Sequence, residues 1–182
     1  GWKHIDASQL AVDRPIEADV VLIGSGAGGG VTAEIRAANG LKVIIVEEGP
    51  LRTSSDFKMR EAEAYPDLYQ ESAARKTADK AINILQGRCV GGSTTVNWTS
   101  SFRTPPRTLQ WWQSAWGLKR LGVDAMAPWF AAMEQRLHVG LWPIPPNENN
   151  AALARGAAQL GIPVAVIPRN VKMCWNLGYC GM

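Results

Sequence analysis

A glycine-rich turn between two short apolar runs is the part of this sequence that could do chemistry. Residues 24–29 read GSGAGG, and the apolar run Val20–Ile23 leads directly into them. The spacing fits G-x-G-x-x-G: the first glycine permits a tight turn, the second lets backbone approach a pyrophosphate, and the third lets a helix pack against a strand. A helix that begins there offers unpaired N–H groups and a partial positive charge. The pattern predicts a phosphate site.

An acidic residue closes the second apolar run, Val43–Val46, at the distance that a dinucleotide site requires. At the tip of the second strand, the carboxylate of Glu47 can accept hydrogen bonds from both hydroxyls of an adenosine ribose. Glu48 adds a second negative charge, which argues against NADP because a ribose phosphate needs a cation. The alternative is a glycine-rich turn that binds no nucleotide. Since strand, turn, helix and acid are in register, we expect the adenosine end of a dinucleotide here.

A second glycine-rich segment, QGRCVGGSTTVN, occupies residues 86–97. Its glycines allow close backbone approach, and its arginine, hydroxyls and asparagine supply hydrogen-bond donors and acceptors. A second cradle for phosphate and polyol suits FAD, which is longer than NAD. A surface loop stabilised by serine and threonine turns explains the same composition, so composition leaves both interpretations open.

The second segment, placed after GSGAGG and VEEGP, closely resembles the glucose–methanol–choline (GMC) oxidoreductases, a family of flavoenzymes. The resemblance runs from about Asp19 to the end of the chain and includes NWTSSFRTP at residues 97–105 and PRN at 168–170. These two stretches, with the cysteine-bearing segment that follows, look most like the long-chain (fatty) alcohol oxidase and polyol dehydrogenase branch. The resemblance implies oxidation of the CH–OH group of a small-molecule alcohol by hydride transfer to flavin.

The resemblance also implies positions along the whole of FAD: its pyrophosphate, its adenosine ribose, the path to its ribityl chain, and its isoalloxazine ring. The pyrophosphate would be held by Gly24, Gly26, Ala27, Gly28 and Gly29, and the adenosine ribose by Glu47. The path to the ribityl chain would be lined by Arg88, Gly92 and Ser93, and the isoalloxazine ring would lie near Asn97 and Trp98. Some relatives attach flavin covalently through a histidine just before that asparagine. Because Val96 stands there in this chain, we predict non-covalent FAD.

No residue of this chain is assigned a catalytic role. In the family the catalytic histidine comes from the C-terminal part of much longer chains, and His4 and His138 lie in no recognisable motif. We therefore expect a piece of a larger polypeptide, whose remainder supplies the base that removes the hydroxyl proton. The alternatives are a non-catalytic FAD-binding fragment or subunit that needs a partner chain, and an NAD-dependent dehydrogenase.

No metal site is assigned either, because a structural zinc site needs four ligands and Cys174 and Cys180 are only two. For these residues and Cys89 we expect free thiols first, a disulfide next and a metal last. The net charge of +3 comes from scattered cations, which gives no indication of nucleic-acid binding. No apolar run approaches the roughly 20 residues of a membrane span. No signal peptide is recognisable, and the location is left open.

The expected fold class is α/β. Residues 1–138 are predicted to form the N-terminal part of a Rossmann-like FAD-binding domain with a parallel sheet, and residues 139–182 the start of a mixed α+β substrate domain. Beyond the glycine turn, the patterns predict these elements: a helix from about Gly28 to Asn39 stopped by Gly40, a helix around Glu61–Tyr69 broken by Pro66, a helical region Trp111–Leu137 with Pro128 at a helix start, a helix Ala151–Leu160, and a strand Val164–Ile167.

Overall fold

The computed structural model of the protein describes residues 1–12, 15–174 and 176. They form two compact units, one spanning Gly1–Val96 and the other beginning at Asn97. The predicted domain boundary near residue 138 stays a prediction.

The first unit is built on a strand–helix–strand repeat, β1 (Val20–Ile23), α1 (Ala27–Ala38) and β2 (Val43–Val46). The strands pair in parallel, with Val20 opposite Val43 and Ile23 opposite Val46. A parallel pair needs a crossover connection, which α1 provides. Both predicted strands and the α/β class are confirmed. The helix begins one residue earlier than predicted and ends at Ala38.

Gly40 stops this helix as predicted. Asn39 is the C-terminal cap, and Gly40 follows with φ of +83°, the left-handed conformation that glycine adopts without steric cost. Its N–H donates to the carbonyl oxygen of Ala37 at 3.0 Å.

The two strands are more exposed than their apolar pattern predicts. Such a run is typical of a strand covered on both faces, yet Ile23 is 93% exposed and Val21 59% exposed. Within the described part of the chain the sheet has only two strands. The residues that the structure describes therefore cover these two strands only in part.

The buried core of the first unit lies beside the second glycine-rich segment. It consists of Leu68, Tyr69, Cys89 and Val96, with Cys89 fully enclosed. Leu68 is the last residue of α2 (Glu61–Leu68). A segment at the end of a helix and two positions of the glycine-rich segment thus share one apolar cluster.

Helix α2 continues through Pro66, so the predicted break there is wrong. Proline removes a single N–H from the helical ladder. The bonds on either side persist, from Ala64 N to Arg60 O at 2.9 Å and from Tyr69 N to Tyr65 O at 3.3 Å. In a helix of eight residues, one missing donor near the end does not stop the turn.

The second unit contains three helices and a small antiparallel sheet among its described residues. The helices are α3 (Pro106–Trp116), α4 (Val123–Arg136) and α5 (Glu148–Gln159), and the strands are β3 (Val139–Leu141) and β4 (Pro168–Asn170). Val139 is opposite Asn170 and Leu141 opposite Pro168. No helix in the described part of the chain is long and apolar enough to cross a membrane.

Two helices occupy the region that was predicted as one helical stretch ending at Leu137. Gly117, with φ of +64°, ends α3 and donates its N–H to Trp112 O. Gly122 then caps the start of α4, and Pro128 lies inside that helix rather than at its start. Glycine favours a helix end because it adopts positive φ readily. The prediction that Pro128 stands at a helix start is wrong, because α4 begins five residues earlier, at Val123.

The last two predicted elements also differ in detail. Helix α5 starts before the predicted Ala151, because Asn147 Oδ1 accepts a hydrogen bond from Asn150 N at 2.9 Å and caps it. The run Val164–Ile167 is not a strand, and β4 begins only at Pro168. Apolar composition alone does not make a strand without a hydrogen-bonded neighbour.

Gly29 offers a sharp test of the glycine turn. A Cβ at this position would lie 2.0 Å from Gly24 O, whereas a Cβ at Gly30 would lie 3.8 Å from its nearest neighbour, Ser25 O. Gly29→Ala should therefore lower the free energy of unfolding by roughly 1–3 kcal/mol or more, through forced backbone movement. Gly30→Ala, the matched control, should be neutral or stabilising because alanine favours helix. Urea unfolding midpoints measure both; equal stability of the two variants would contradict the close approach.

Candidate cofactor site

The N-terminus of α1 is open beside the first glycine turn. Gly24 has φ of +90°, and Gly26 occupies the N-cap position, where it has no side chain to bond the first N–H groups of the helix. A Cβ built on Gly26 or Gly28 would meet nothing within 4 Å. Ala27 and Gly28 at the helix start are exposed, so a ligand can approach this end of the helix, an arrangement that fits a pyrophosphate.

Glu47, directly after β2, is the acidic group of the site and bonds to the glycine turn. Its Oε2 accepts hydrogen bonds from Ser25 N at 2.8 Å and from Ser25 Oγ at 2.6 Å. Its Oε1 accepts one from Gly49 N at 3.0 Å. The half-buried carboxylate is thus held by donors from the turn on one side and from its own loop on the other.

Two opposing effects set the pKa of the Glu47 carboxyl. Partial burial raises it, but hydrogen bonds from Ser25 and Gly49 outweigh burial and hold the pKa below its ordinary value. The group is therefore ionised at neutral pH and acts only as an acceptor. That is the chemistry which the predicted ribose contact needs; the contact itself stays a prediction.

The second glycine-rich segment lies against the first turn. Gly91 N donates to Ser25 Oγ at 2.8 Å, and a Cβ on Gly92 would lie 3.0 Å from Gly26 Cα. Gly91 and Gly92 both have positive φ, of +93° and +54°. Two stretches that are far apart in the sequence are thereby joined into one glycine-lined surface.

The hydroxyls of the second segment bond to the segment itself. Ser93 Oγ accepts from Gly87 N at 3.0 Å, while Thr94 and Thr95 donate to carbonyl oxygens of the same segment at 2.5 Å and 2.9 Å. These contacts are of the kind that serine and threonine turns make. The role of Ser93 along the cofactor stays a prediction.

Arg88 is fixed through its backbone, whereas its side chain is half exposed. Arg88 N donates to Leu68 O at 2.7 Å, and a Cβ on Gly49 would lie 2.3 Å from Arg88 backbone atoms. The guanidinium Nε is 3.4 Å from Glu48 Oε2, and both side chains are largely solvated. Such a pair contributes little to stability, so the guanidinium is available to an anion.

Cys89 is a structural thiol. It is fully buried in the core of the first unit, and burial raises its pKa, which makes it unreactive at neutral pH. Cys89 and Cys174 are free; the predicted relation of Cys174 to Cys180 lies outside the described residues. Among the residues that the structure describes, no cluster of three or more His, Cys, Asp or Glu side chains could hold a metal ion.

Asn97 and Trp98 open the second unit and are fixed by neighbours there. Asn97 Oδ1 accepts a hydrogen bond from Thr99 N at 2.6 Å. The indole of Trp98 is 76% exposed, while its carbonyl oxygen accepts from Arg169 Nη1 at 2.9 Å. The backbone is held and the ring is presented outward. Their predicted place at the isoalloxazine stays a prediction.

Arg169 of β4 was not assigned a role from the sequence. Besides the bond to Trp98 O, its Nη1 donates to Thr99 Oγ1 at 3.1 Å, and its guanidinium lies 5.5 Å from the centre of the Trp142 ring. Asn170 N adds a bond to Thr99 O at 3.1 Å. In the sequence, Arg169 belongs to the PRN stretch, which carries part of the family resemblance but indicates no role for this side chain.

The two histidines take no part in this site. His4 packs edge-on against Trp2, with ring centres 6.4 Å apart. His138 is exposed with φ of +55° and joins α4 to β3. No catalytic base is assigned in the described chain.

Replacing Arg169 should loosen the segment that carries Asn97 and Trp98. Arg169→Met keeps the length of the side chain but removes both hydrogen bonds and the cation–π contact, a loss of roughly 1–3 kcal/mol. Hydrogen exchange at residues 97–101 should accelerate by about tenfold or more. The control Arg155→Met changes an exposed arginine of α5 and should leave exchange there unchanged. Equal exchange in both variants would contradict the anchoring role.

Several known proteins are similar to this chain. A family model described as GMC oxidoreductase matches residues 65–182. The chain is 34% identical to the long-chain-alcohol oxidase FAO4A of Arabidopsis thaliana over 91% of its length and 23% of that protein. It is 33% identical to an uncharacterized GMC-type oxidoreductase of Mycobacterium tuberculosis, over 95% of this chain and 28% of that one. The crystal structure of pyridoxine 4-oxidase from Mesorbium loti matches with a TM-score of 0.46 and 26% identity, over 62% of this chain and 23% of that chain.

These matches span about a quarter of the curated relatives. The matching model covers more than half of this chain and corresponds to the N-terminal part of the family, in which the flavin binds. The chain therefore belongs to the GMC oxidoreductase family.

Proposed function

We propose that this chain is the FAD-binding part of an enzyme that oxidises the CH–OH group of an alcohol. The observation that carries the proposal is the junction of the two glycine-rich segments beside the carboxylate of Glu47. The start of α1 and the ionised acid lie side by side, because hydrogen bonds join the first glycine turn to Glu47 and to the second segment. Membership of a flavoenzyme family favours FAD over NAD as the occupant.

The residues assigned to FAD divide by the chemistry of its parts. The turn that begins at Gly24 would hold the pyrophosphate, since backbone N–H groups and the helix dipole favour an anion. Glu47 would accept the ribose hydroxyls. Arg88, Gly92 and Ser93 would line the path to the ribityl chain. The segment with Asn97 and Trp98 would meet the flavin ring.

FAD would supply the hydride acceptor, and this chain supplies binding and orientation. The proton of the alcohol hydroxyl would go to a base in the remainder of the protein, since no such base is assigned here.

The exposed apolar side chains of β1 and β2, Ile23 above all, support the existence of a covering partner, because parallel strands are normally covered on both faces.

A long-chain alcohol is the substrate class that the relatives favour. The named relatives at 34% identity are long-chain-alcohol oxidases, and the proposal takes the substrate class from them.

We propose that the flavin is held without a covalent bond. Val96, the position that carries a histidine in some relatives, is 6% exposed and belongs to the apolar core. A valine side chain offers no nucleophile for attachment.

The visible spectrum of the purified protein tests cofactor and linkage together. Oxidised-flavin bands are expected in the native protein, and acid precipitation should move them completely to the supernatant. Yellow colour that stays in the pellet would contradict non-covalent binding. A colourless protein that fails to take up added FAD would contradict the cofactor proposal.

Removing the Glu47 carboxylate should weaken FAD binding. Glu47→Ala deletes acceptors for the ribose hydroxyls, and hydrogen bonds to charged groups correspond to roughly 10- to 100-fold in affinity. The control Glu17→Ala removes an exposed carboxylate that lies outside both glycine-rich segments. Flavin-fluorescence quenching gives both dissociation constants. Equal affinities for the two variants would contradict the ribose assignment.

A further inference from the structure

Ser25 occupies the variable position after the first glycine, yet it makes three hydrogen bonds that join distant parts of the chain. Its N–H and its hydroxyl both donate to Glu47 Oε2, at 2.8 Å and 2.6 Å. Its hydroxyl oxygen also accepts from Gly91 N at 2.8 Å. One side chain therefore connects the first glycine turn, the acid after β2 and the second glycine-rich segment.

From this geometry we propose that Ser25 is a positioning residue for cofactor binding: its hydroxyl fixes the Glu47 carboxylate and the Gly91 backbone relative to the first glycine turn. The ribose acceptor and the glycine-lined surface are then formed before the ligand arrives. The part of the inference that concerns FAD rests on the proposed function. The clasp between Ser25, Glu47 and Gly91 stands on the contacts alone.

A hydroxyl is the group that this position requires. It must donate to a carboxylate oxygen and accept from a backbone N–H at the same time, which a serine hydroxyl can do and an alanine methyl cannot. The site is half buried, so an unpaired Gly91 N–H would lose a partner that water replaces only in part. The hydrogen bond with Gly91 joins residues 66 positions apart, and the one with Glu47 joins residues 22 positions apart.

The close backbone contact is an independent observation on the same junction. A Cβ on Gly92 would lie 3.0 Å from Gly26 Cα, so the two backbones approach closely at this point. The bond from Gly91 N to the Ser25 hydroxyl lies at the same junction, and separation of the segments would break it. The close approach and the hydrogen bond therefore hold neighbouring residues of the same two segments together.

The clasp also affects the charge of the acid. The Ser25 hydroxyl is the leading hydrogen-bond donor that lowers the pKa of Glu47 against the effect of burial. The other donors that lower this pKa are the backbone N–H groups of Ser25, Gly49 and Glu48, and the titratable group that interacts with the carboxylate is the buried thiol of Cys89. The backbone bonds are already made in the wild type, so Ser25→Ala removes the leading donor and should raise the pKa of Glu47.

The first experiment uses the purified protein stripped of flavin. Hydrogen exchange at residues 87–92 should be about tenfold faster in Ser25→Ala than in the wild type, because the Gly91 N–H loses its acceptor. Ser114→Ala is the matched control: its hydroxyl bonds within α3, to Trp111 O. Ser25→Thr keeps the hydroxyl and should keep slow exchange. Unchanged exchange in Ser25→Ala would overturn the clasp.

The second experiment measures FAD affinity against pH. Ser25→Ala should bind FAD about tenfold more weakly at neutral pH, and the acidic loss of affinity should begin at higher pH than in the wild type and in Ser114→Ala. A change in overall stability alone would not move that pH. In the double variant Ser25→Ala/Glu47→Gln the loss should be smaller than the product of the single losses, because both act on one contact.

The outcomes separate the two proposals. If no form of the protein binds FAD, the proposed function fails, and the exchange experiment still decides the clasp. If the wild type binds FAD and Ser25→Ala binds it with the same affinity and pH profile, the positioning role is overturned while the proposed function stands. Independent, multiplicative losses in the double variant would also overturn it.

Discussion

Close backbone approach at glycines is the constraint on which the rest of the first unit depends. At three places a Cβ would fall inside other backbone atoms: at Gly29 against Gly24, at Gly49 against Arg88, and at Gly87 against Gly92. The first and third close a turn within one glycine-rich segment, and the second joins the loop after β2 to the second segment. The apolar cluster around Cys89 then fills the space next to the second segment. The glycines set the geometry, and hydrophobic burial stabilises it.

This constraint places opposite charges next to each other. The N-terminus of α1 carries a partial positive charge, and the ionised Glu47 accepts two hydrogen bonds from Ser25 of the same turn. A carboxylate here would otherwise oppose the approach of a pyrophosphate. Because turn donors already bond the acid, part of its charge is compensated locally. A dinucleotide suits this pattern, since its neutral ribose can face the acid while its phosphates face the helix.

The elements that the sequence predicts well are those whose signal is local. The strands β1 and β2 and the stop at Gly40 follow from apolar runs and from a single glycine, and all three are confirmed. Pro66 and Pro128 were misinterpreted as a break and a helix start because a helix tolerates one missing donor when flanking bonds persist. The strand predicted at Val164–Ile167 failed because pairing depends on a partner elsewhere in the chain. The composition of a segment indicates neither the hydrogen bonds that flank a proline nor the strand that would pair with an apolar run.

The candidate site shows the same division between local and long-range information. The glycines of the first turn and Glu47 could be placed from spacing, because one strand–helix–strand repeat contains them all. Ser25 could not be, since its role depends on Gly91, which is 66 positions away. Arg169 was missed for the same reason, as its partners Trp98 and Thr99 lie about 70 positions earlier. Both side chains are polar and bond to the backbone of a distant segment that is predicted to contact the cofactor. Such a long-range contact can be seen only in the folded chain.

The described contacts of Ser25 and Arg169 share no partner. Ser25 bonds Glu47 and Gly91 within the first unit, whereas Arg169 bonds Trp98 and Thr99 within the second. Each segment assigned to the cofactor therefore has its own local support, and loss of one support leaves the bonds of the other in place. Local preorganisation lowers the entropy that a segment must lose when a ligand binds. A positioning residue outside the recognised motif would therefore add to cofactor affinity beside the glycines.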